Sequence, residues 1–250
     1  MGDLAVFNVT SWLLVFARVG ATMMLLPAFG EETIPPRVRL VLALLVALSL
    51  VPIVADRFQD DLSGDALSLA IVREAAIGLV LGTLVRILYL SIAMAGSIIA
   101  TQAGFSMVTA LDPAMGGQAP TIARLVSVAA IVFMFALNIH HLLIAGLAKS
   151  YAMELPGLST IGRDLPTIAV ATIARSFEIS LQIAAPFLVF GLVINVGMGL
   201  IGRLSPTIQI FFIAQPFVLL AGIGLMLACL AGGIALWARL FGSTITTALG

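Results

Sequence analysis

Six long apolar blocks, at about 4–26, 38–55, 69–100, 122–148, 167–200 and 207–241, make up most of this chain. Leu, Ala, Ile, Val and Gly dominate them, without period-2 alternation. Where backbone groups have no water to bond, only helices and closed barrels satisfy them, and barrel strands would alternate. The blocks therefore read as helices. Only 10% of the 250 residues are charged, against roughly 25% in soluble domains. With a mean hydropathy of +1.19, a soluble chain would be left with large uncovered apolar patches. The expected fold class is all-α: a membrane-associated bundle of long, broken helices and helical hairpins, covered by lipid, by other subunits or by both.

The breaks between blocks are chemically distinct. Pro27 to Pro36 holds three prolines and Gly30, which cannot continue a helix. Asp56 to Asp65 carries four acids and one base and must be solvated. Leu111 to Pro120 contains Pro113, Gly116, Gly117 and Pro120, and Leu155 to Pro166 contains Pro156, Gly157, Gly162 and Pro166. Ser205-Pro206 marks a tight turn. Met1-Gly2-Asp3-Leu4 has no basic n-region, so the first block is expected to stay as a helix. A spanning helix needs about 20 residues. The third, fifth and sixth blocks exceed this and are expected to bend, break or protrude, with a kink at Pro186.

Charge does not orient such a bundle. Threading six spans places Arg37, Arg39 and Arg203 on one side and Arg57, Lys149, Arg163 and Arg239 on the other, so the positive-inside rule is indecisive. Charges also lie within or at the edges of the blocks: Arg18, Arg73, Glu74, Arg86, Arg124, Arg175, Glu178 and Arg239. Each is costly in hydrocarbon and should face protein or water. Arg175 and Glu178 are spaced i,i+3 and can pair, and Gln182 extends their face by a turn. Asn195, Gly199 and Arg203 form a second line. Arg86, Arg175, Glu178, Gln182, Asn195 and Arg203 are the candidates for buried polar or inter-subunit contacts. Gly78 and Gly82 have the spacing of close helix packing.

The motifs of common enzymes are missing. No Walker-type phosphate loop, His-Glu-x-x-His or cysteine pair occurs, and Cys229 is the single cysteine. His140 and His141 are adjacent and point in different directions on a helix, a poor arrangement for one metal. No catalytic residue, metal site or cofactor is expected. Formal net charge is zero, so nucleic acid is not an expected partner.

Three ordered stretches carry a resemblance. The first runs from Arg18 through Pro27 and Ile34-Pro35-Pro36-Arg37-Val38-Arg39 to Pro52. The second contains Gln102-Ala103-Gly104-Phe105-Ser106, then Asp112-Pro113, Pro120, Arg124, Asn138 and His140. The third runs from Pro186 through Asn195-Val196-Gly197-Met198-Gly199-Leu200, Arg203, Pro206 and Phe211 to Pro216. Their order and spacing resemble the FliR/SctT family of flagellar and virulence type III export gates over nearly the whole chain. The chain departs from the family at Ile139, where Gly is usual, at Thr207, where Gln is usual, and at Ala214-Gln215, where Gly commonly precedes the proline.

The resemblance implies a non-enzymatic subunit of a helical export-gate assembly with FliP-like and FliQ-like subunits. Unfolded flagellar substrates would cross the bacterial inner membrane through it, within the flagellar basal body and alongside FlhB-like and FlhA-like export proteins and lipid. It implies a FliP-like part at 1–165 and a FliQ-like hairpin at 166–250. It also makes the segment near 104–121 a plug that projects into the channel, with Gly104, Phe105, Met107, Leu111, Asp112, Pro113, Met115, Gly116, Gly117 and Pro120 as its candidate residues. The alternatives are a homologous injectisome subunit and a small-molecule or ion permease, the latter expected to show inverted repeats and midplane acids.

Overall fold

The computed structural model describes residues 9–31, 33–54, 58, 64–105, 121–151, 158–204 and 210–249. Among them are seven α-helices and no strand: α1 Val9–Leu25, α2 Pro36–Val54, α3 Asp65–Gln102, α4 Thr121–Ala136, α5 Ile139–Ser150, α6 Leu158–Leu204 and α7 Ile210–Leu249. The all-α expectation holds. Four helical stretches are long and apolar enough to cross a membrane: Pro36–Val54, Asp65–Gln102, Leu165–Leu204 and Ile213–Thr246. The pair α4 and α5 makes a fifth if counted as one broken span.

Local chemistry sets the ends. The Gly30 N–H donates to the Leu26 carbonyl at 2.8 Å, closing a bend in which Ala28 adopts φ 70°. Pro36 opens α2, where its missing N–H leaves no bond unmade, and the Val38 N–H donates to the Pro35 carbonyl at 3.0 Å. Asp65 occupies the first turn of α3, where a carboxylate meets the positive helix end. The Ser205-Pro206 turn and most of the Asp56–Asp65 break lie outside the described residues.

Two boundaries differ from the sequence reading. The fourth apolar block is not one helix: it breaks between α4 and α5, and the path bends by 73°. Asn138 carries the break at φ 58°, a left-handed conformation that Asn tolerates better than most residues. The departure at Ile139 is accommodated because the positive φ falls on Asn138, and Ile139 is buried. Conversely, α6 starts at Leu158 and runs through Gly162 and Pro166, which were expected to lie in a break. It is also uninterrupted at Pro186. Apolar spans tolerate proline because neighbouring groups re-satisfy the freed carbonyl.

Contacts divide the chain into two compact units, 1–89 with 140–173 and 243–250, and 90–139 with 174–242. Each unit draws on segments from several parts of the chain. In the first unit, α1 buries Leu14, Val15, Arg18, Val19, Thr22 and Met23 along one face, the i,i+3,i+4 stripe of a packed helix. The glycines of α3 meet this helix backbone to backbone. A Cβ on Gly78 would overlap the Arg18 carbonyl oxygen, and one on Gly82 would lie 2.9 Å from both the Thr22 carbonyl oxygen and the Leu25 Cβ. α2 buries only Ala43, Ala47, Leu50, Val51 and Val54. Its Leu40, Val41, Leu45, Leu48 and Ile53 stay exposed.

In the second unit, α4 turns Ala123, Val126, Ala130 and Met134 inward. Ala123 lies so near Gly96 of α3 that a Cβ there would come within 2.9 Å of its Cα. Trp237 of α7 is fully buried. It stacks on Phe241 at 4.9 Å and donates its indole N–H to Ser91 Oγ at 3.1 Å. Ile183 of α6 approaches Gly233 of α7, a meeting of residues similarly far from the connection between those helices. That is the register of an antiparallel pair.

Gly78→Ala is expected to destabilise the chain by about 1–3 kcal/mol through overpacking. Gly232→Ala, with open space around it, should be neutral or slightly stabilising. Denaturant titration in detergent micelles, followed by helical circular dichroism, checks the contrast. Equal midpoints would show that α1 and α3 do not approach this closely.

Candidate functional site

Arg18 is 5% exposed and Glu74 7%, and each sits in an apolar helix where a lone charge would be prohibitive. They meet as a bidentate pair. Arg18 Nε donates to Glu74 Oε2 at 2.6 Å and Nη2 to Oε1 at 3.0 Å. Arg18 Nη1 donates to the Ser150 carbonyl at 3.0 Å and lies 3.1 Å from Ser150 Oγ, whose own hydroxyl donates to the Leu147 carbonyl. The guanidinium carbon stands 4.0 Å from the centre of the Tyr151 ring, a cation–π distance, and the Tyr151 hydroxyl donates to the Val15 carbonyl. Burial pushes the Tyr151 phenol above the usual tyrosine range; Arg18 works against this and Glu74 with it. The ring therefore stays neutral. The pair ties α1, α3 and the end of α5 together.

The second unit holds a different arrangement, at the C-terminus of α3. The Gly104 N–H donates to the Thr101 carbonyl and the Phe105 N–H to the Ala100 carbonyl, at 3.2 and 3.0 Å. Gly104 has φ 87°. These are the two bonds of a Schellman cap with glycine in the left-handed position. The cap is gripped from two helices. Gln102 presses its side-chain oxygen against Gly191 of α6, where any Cβ would overlap it. Ala103 fits against Gly222 of α7, where a Cβ would lie 2.7 Å from its carbonyl oxygen. Gln215 Nε2 donates to the Gly104 carbonyl at 3.1 Å, so the departure at Ala214-Gln215 supplies a hydrogen bond here. The stretch Gln102-Ala103-Gly104 thus anchors the chain where it enters the 106–120 segment.

Of the candidate plug residues, Gly104 and Phe105 belong to this cap. Met107, Leu111, Asp112, Pro113, Met115, Gly116, Gly117 and Pro120 lie outside the described residues. The candidate inter-subunit residues are placed plainly. Arg175 Nη1 donates to Glu178 Oε2 at 2.6 Å, and Gln182 donates to Glu178 Oε1 at 3.0 Å, so the ladder read from spacing forms. The chain itself does not bury it: Glu178, Gln182, Asn195 and Arg203 are exposed, while Arg175 and Arg86 are half-buried. The ion pair buried here is Arg18 with Glu74, whose partnership spacing does not reveal. His140 and His141, expected to point apart, have ring centroids 4.1 Å apart.

A profile of the family described as bacterial export proteins, family 1, matches residues 9–244. The chain belongs to this family. It is 38% identical over 234 residues to the flagellar biosynthetic protein FliR of Caulobacter vibrioides, covering 92% of each chain. It is 30% identical to the FliR of Escherichia coli, over 87% of this chain and 85% of that one. To the Yop proteins translocation protein T of Yersinia pestis it is 24% identical, over 86% and 84%. The FliR/SctT resemblance of the three sequence stretches is therefore correct. In this export-family member, Arg18 and the Gln102-Ala103-Gly104 stretch have structural work: one joins three helices and the other caps and seats α3.

Removing one member of a buried ion pair costs about 3–5 kcal/mol, because the other charge is left uncompensated. Glu74→Ala should therefore destabilise the protein by that order, and Arg18→Met combined with Glu74→Leu should recover most of the loss. Unfolding midpoints in micelles measure both. A double variant no better than Glu74→Ala would mean the pair is not buried as described. Alanine at Glu178, in a pair whose side chains are 34% and 52% exposed, should cost the isolated chain under about 1 kcal/mol.

Proposed function

We propose that this chain is a subunit of the flagellar type III protein export gate in the bacterial inner membrane, at the flagellar basal body. Its family membership over residues 9–244 carries the reading, and the 38% identity to the FliR of Caulobacter vibrioides, against 24% to the Yersinia translocation protein, favours a flagellar over an injectisome role. The subunit is non-enzymatic and acts by shape. It joins FliP-like and FliQ-like subunits, its 1–165 part taking a FliP-like place and its 166–250 hairpin a FliQ-like one. FlhB-like and FlhA-like proteins adjoin it, and unfolded substrates pass through the channel so formed.

The exposed face of α6 supports this assignment. Glu178, Gln182, Val189, Leu192, Val196, Gly199 and Arg203 follow one another at spacings of three, four and seven, and all are exposed. Apolar residues alone could face lipid. A charged and amide-bearing ladder within a spanning stretch cannot do so cheaply, so neighbouring subunits are its natural cover. Asn195 and Arg86 fit the same role. In this proposal the segment 106–120, which follows directly on the cap at Gly104, takes the plug role that the family resemblance implies.

Tagged chain recovered from its own membranes should carry FliP-like and FliQ-like proteins, identified by mass spectrometry. Glu178→Lys should cut their recovery while leaving the chain's own unfolding midpoint nearly unchanged. Full recovery with that variant would remove this face from the interface, and a homogeneous, partner-free chain in native membranes would sink the proposal. Aspartate in place of Gly116 or Gly117 is expected to make the assembled gate leak ions or small dyes. An unchanged leak with intact assembly would reduce the segment to a connector.

A further inference from the structure

Arg86 is the one charged residue of α3 between Glu74 and the helix end at Gln102. It stands about 18 Å along the axis from Glu74 and about 24 Å from Gln102, at ~1.5 Å per residue. Apolar chain therefore flanks it on both sides. Gly78 packs on Arg18 of α1, and Gly82 on Thr22 and Leu25, so the two helices run in step. Arg86 comes one turn later, where α1 has ended at Leu25. Its guanidinium reaches back to that end: Nη1 donates to the Leu25 carbonyl at 3.5 Å, a long contact for a hydrogen bond. Nε and Nη2 meet no acceptor among the described residues.

No carboxylate answers this charge among the described residues. Glu74 gives both oxygens to Arg18, and neither Glu31 nor Asp65 forms an ion pair with Arg86. One backbone carbonyl is a weak counterweight for a permanent charge in an apolar span, which ordinarily faces an anion or water. Arg86 is half-buried, and its open side lies on the face of α3 that also exposes Val72, Leu79 and Thr83. The Thr83 hydroxyl is already donated to the Leu79 carbonyl of its own helix. Arg86 is thus the single unanswered polar group of an otherwise apolar face. The surface complementary to it is an apolar helix with one acid at the same depth. We propose that a helix of a neighbouring subunit covers this face and brings one Asp or Glu carboxylate to Arg86. This rests on the reading that the chain works inside an assembly, and it names the group by which one neighbour is recognised.

Native membranes carrying the full chain with Arg86→Lys test the contact. Dicyclohexylcarbodiimide joins a lysine amine to a carboxylate it touches, and mass spectrometry of the crosslinked peptides identifies the acid. Position 86 should be joined to an acidic residue of a co-purifying subunit. Arg86→Lys should keep about half of the partner recovery or more, since it retains the charge but not the fork. Arg86→Leu should lower recovery by about tenfold, because the partner's carboxylate is then stranded. The isolated Arg86→Leu chain should unfold in micelles at an unchanged or higher midpoint, having lost one long bond, which separates lost assembly from lost folding. Full recovery with Arg86→Leu, equal losses for the two variants, or an intact complex with no crosslink at position 86 would overturn the proposal. So would a crosslink to an acid of this chain. A crosslink to a protein unlike FliP and FliQ would uphold the contact and overturn the export-gate assignment.

Discussion

A charge inside an apolar span must meet its counter-charge there, and the pairing of Arg18 with Glu74 meets that demand for the first unit of this protein. The bidentate geometry uses both carboxylate oxygens. The remaining donors reach Ser150, and the Tyr151 ring covers the guanidinium. Helices far apart in sequence are thereby committed to one arrangement, because any other would strand a charge in a medium that cannot solvate it. Buried ion pairs add little stability over apolar packing of the same volume. Their leverage lies in excluding alternatives, and a chain made almost entirely of Leu, Ala, Ile, Val and Gly has few other means of specifying which helix meets which.

Small residues complete that specification. Lipid and leucine are equally apolar, so helices in such a chain gain little from hydrophobic contrast and rely on close contact. Gly78 and Gly82 let α3 reach the backbone of α1, and the same device recurs where Gln102 and Ala103 of α3 enter notches at Gly191 and Gly222. In the second case the contact also seats the glycine cap that ends α3.

What the chain leaves uncovered is as informative as what it buries. α2 is apolar beyond its first turn except for Ser49, yet buries one narrow face, and α6 exposes apolar and charged groups along a single line. The first is a surface lipid can cover. The second is not, and within a family of export proteins it is the surface most suited to neighbouring subunits.

The sequence by itself determined the all-helical class, most helix breaks and the family. Proline, glycine and charge act locally, and the three ordered motifs extend over almost the whole chain. Spacing also predicted the Arg175–Glu178–Gln182 ladder, since an i,i+3 or i,i+4 relation is a property of one helix. Tertiary structure alone decided which charges are buried. Arg18 and Glu74 are 56 residues apart, and no periodicity links them; only the packing of α1 on α3 brings them into reach. It also placed the left-handed turn on Asn138 and extended α6 through Pro166 and Pro186, because the cost of a broken helical bond depends on what stands beside the freed carbonyl. Neighbouring helices, which local sequence does not encode, decide whether that cost is met.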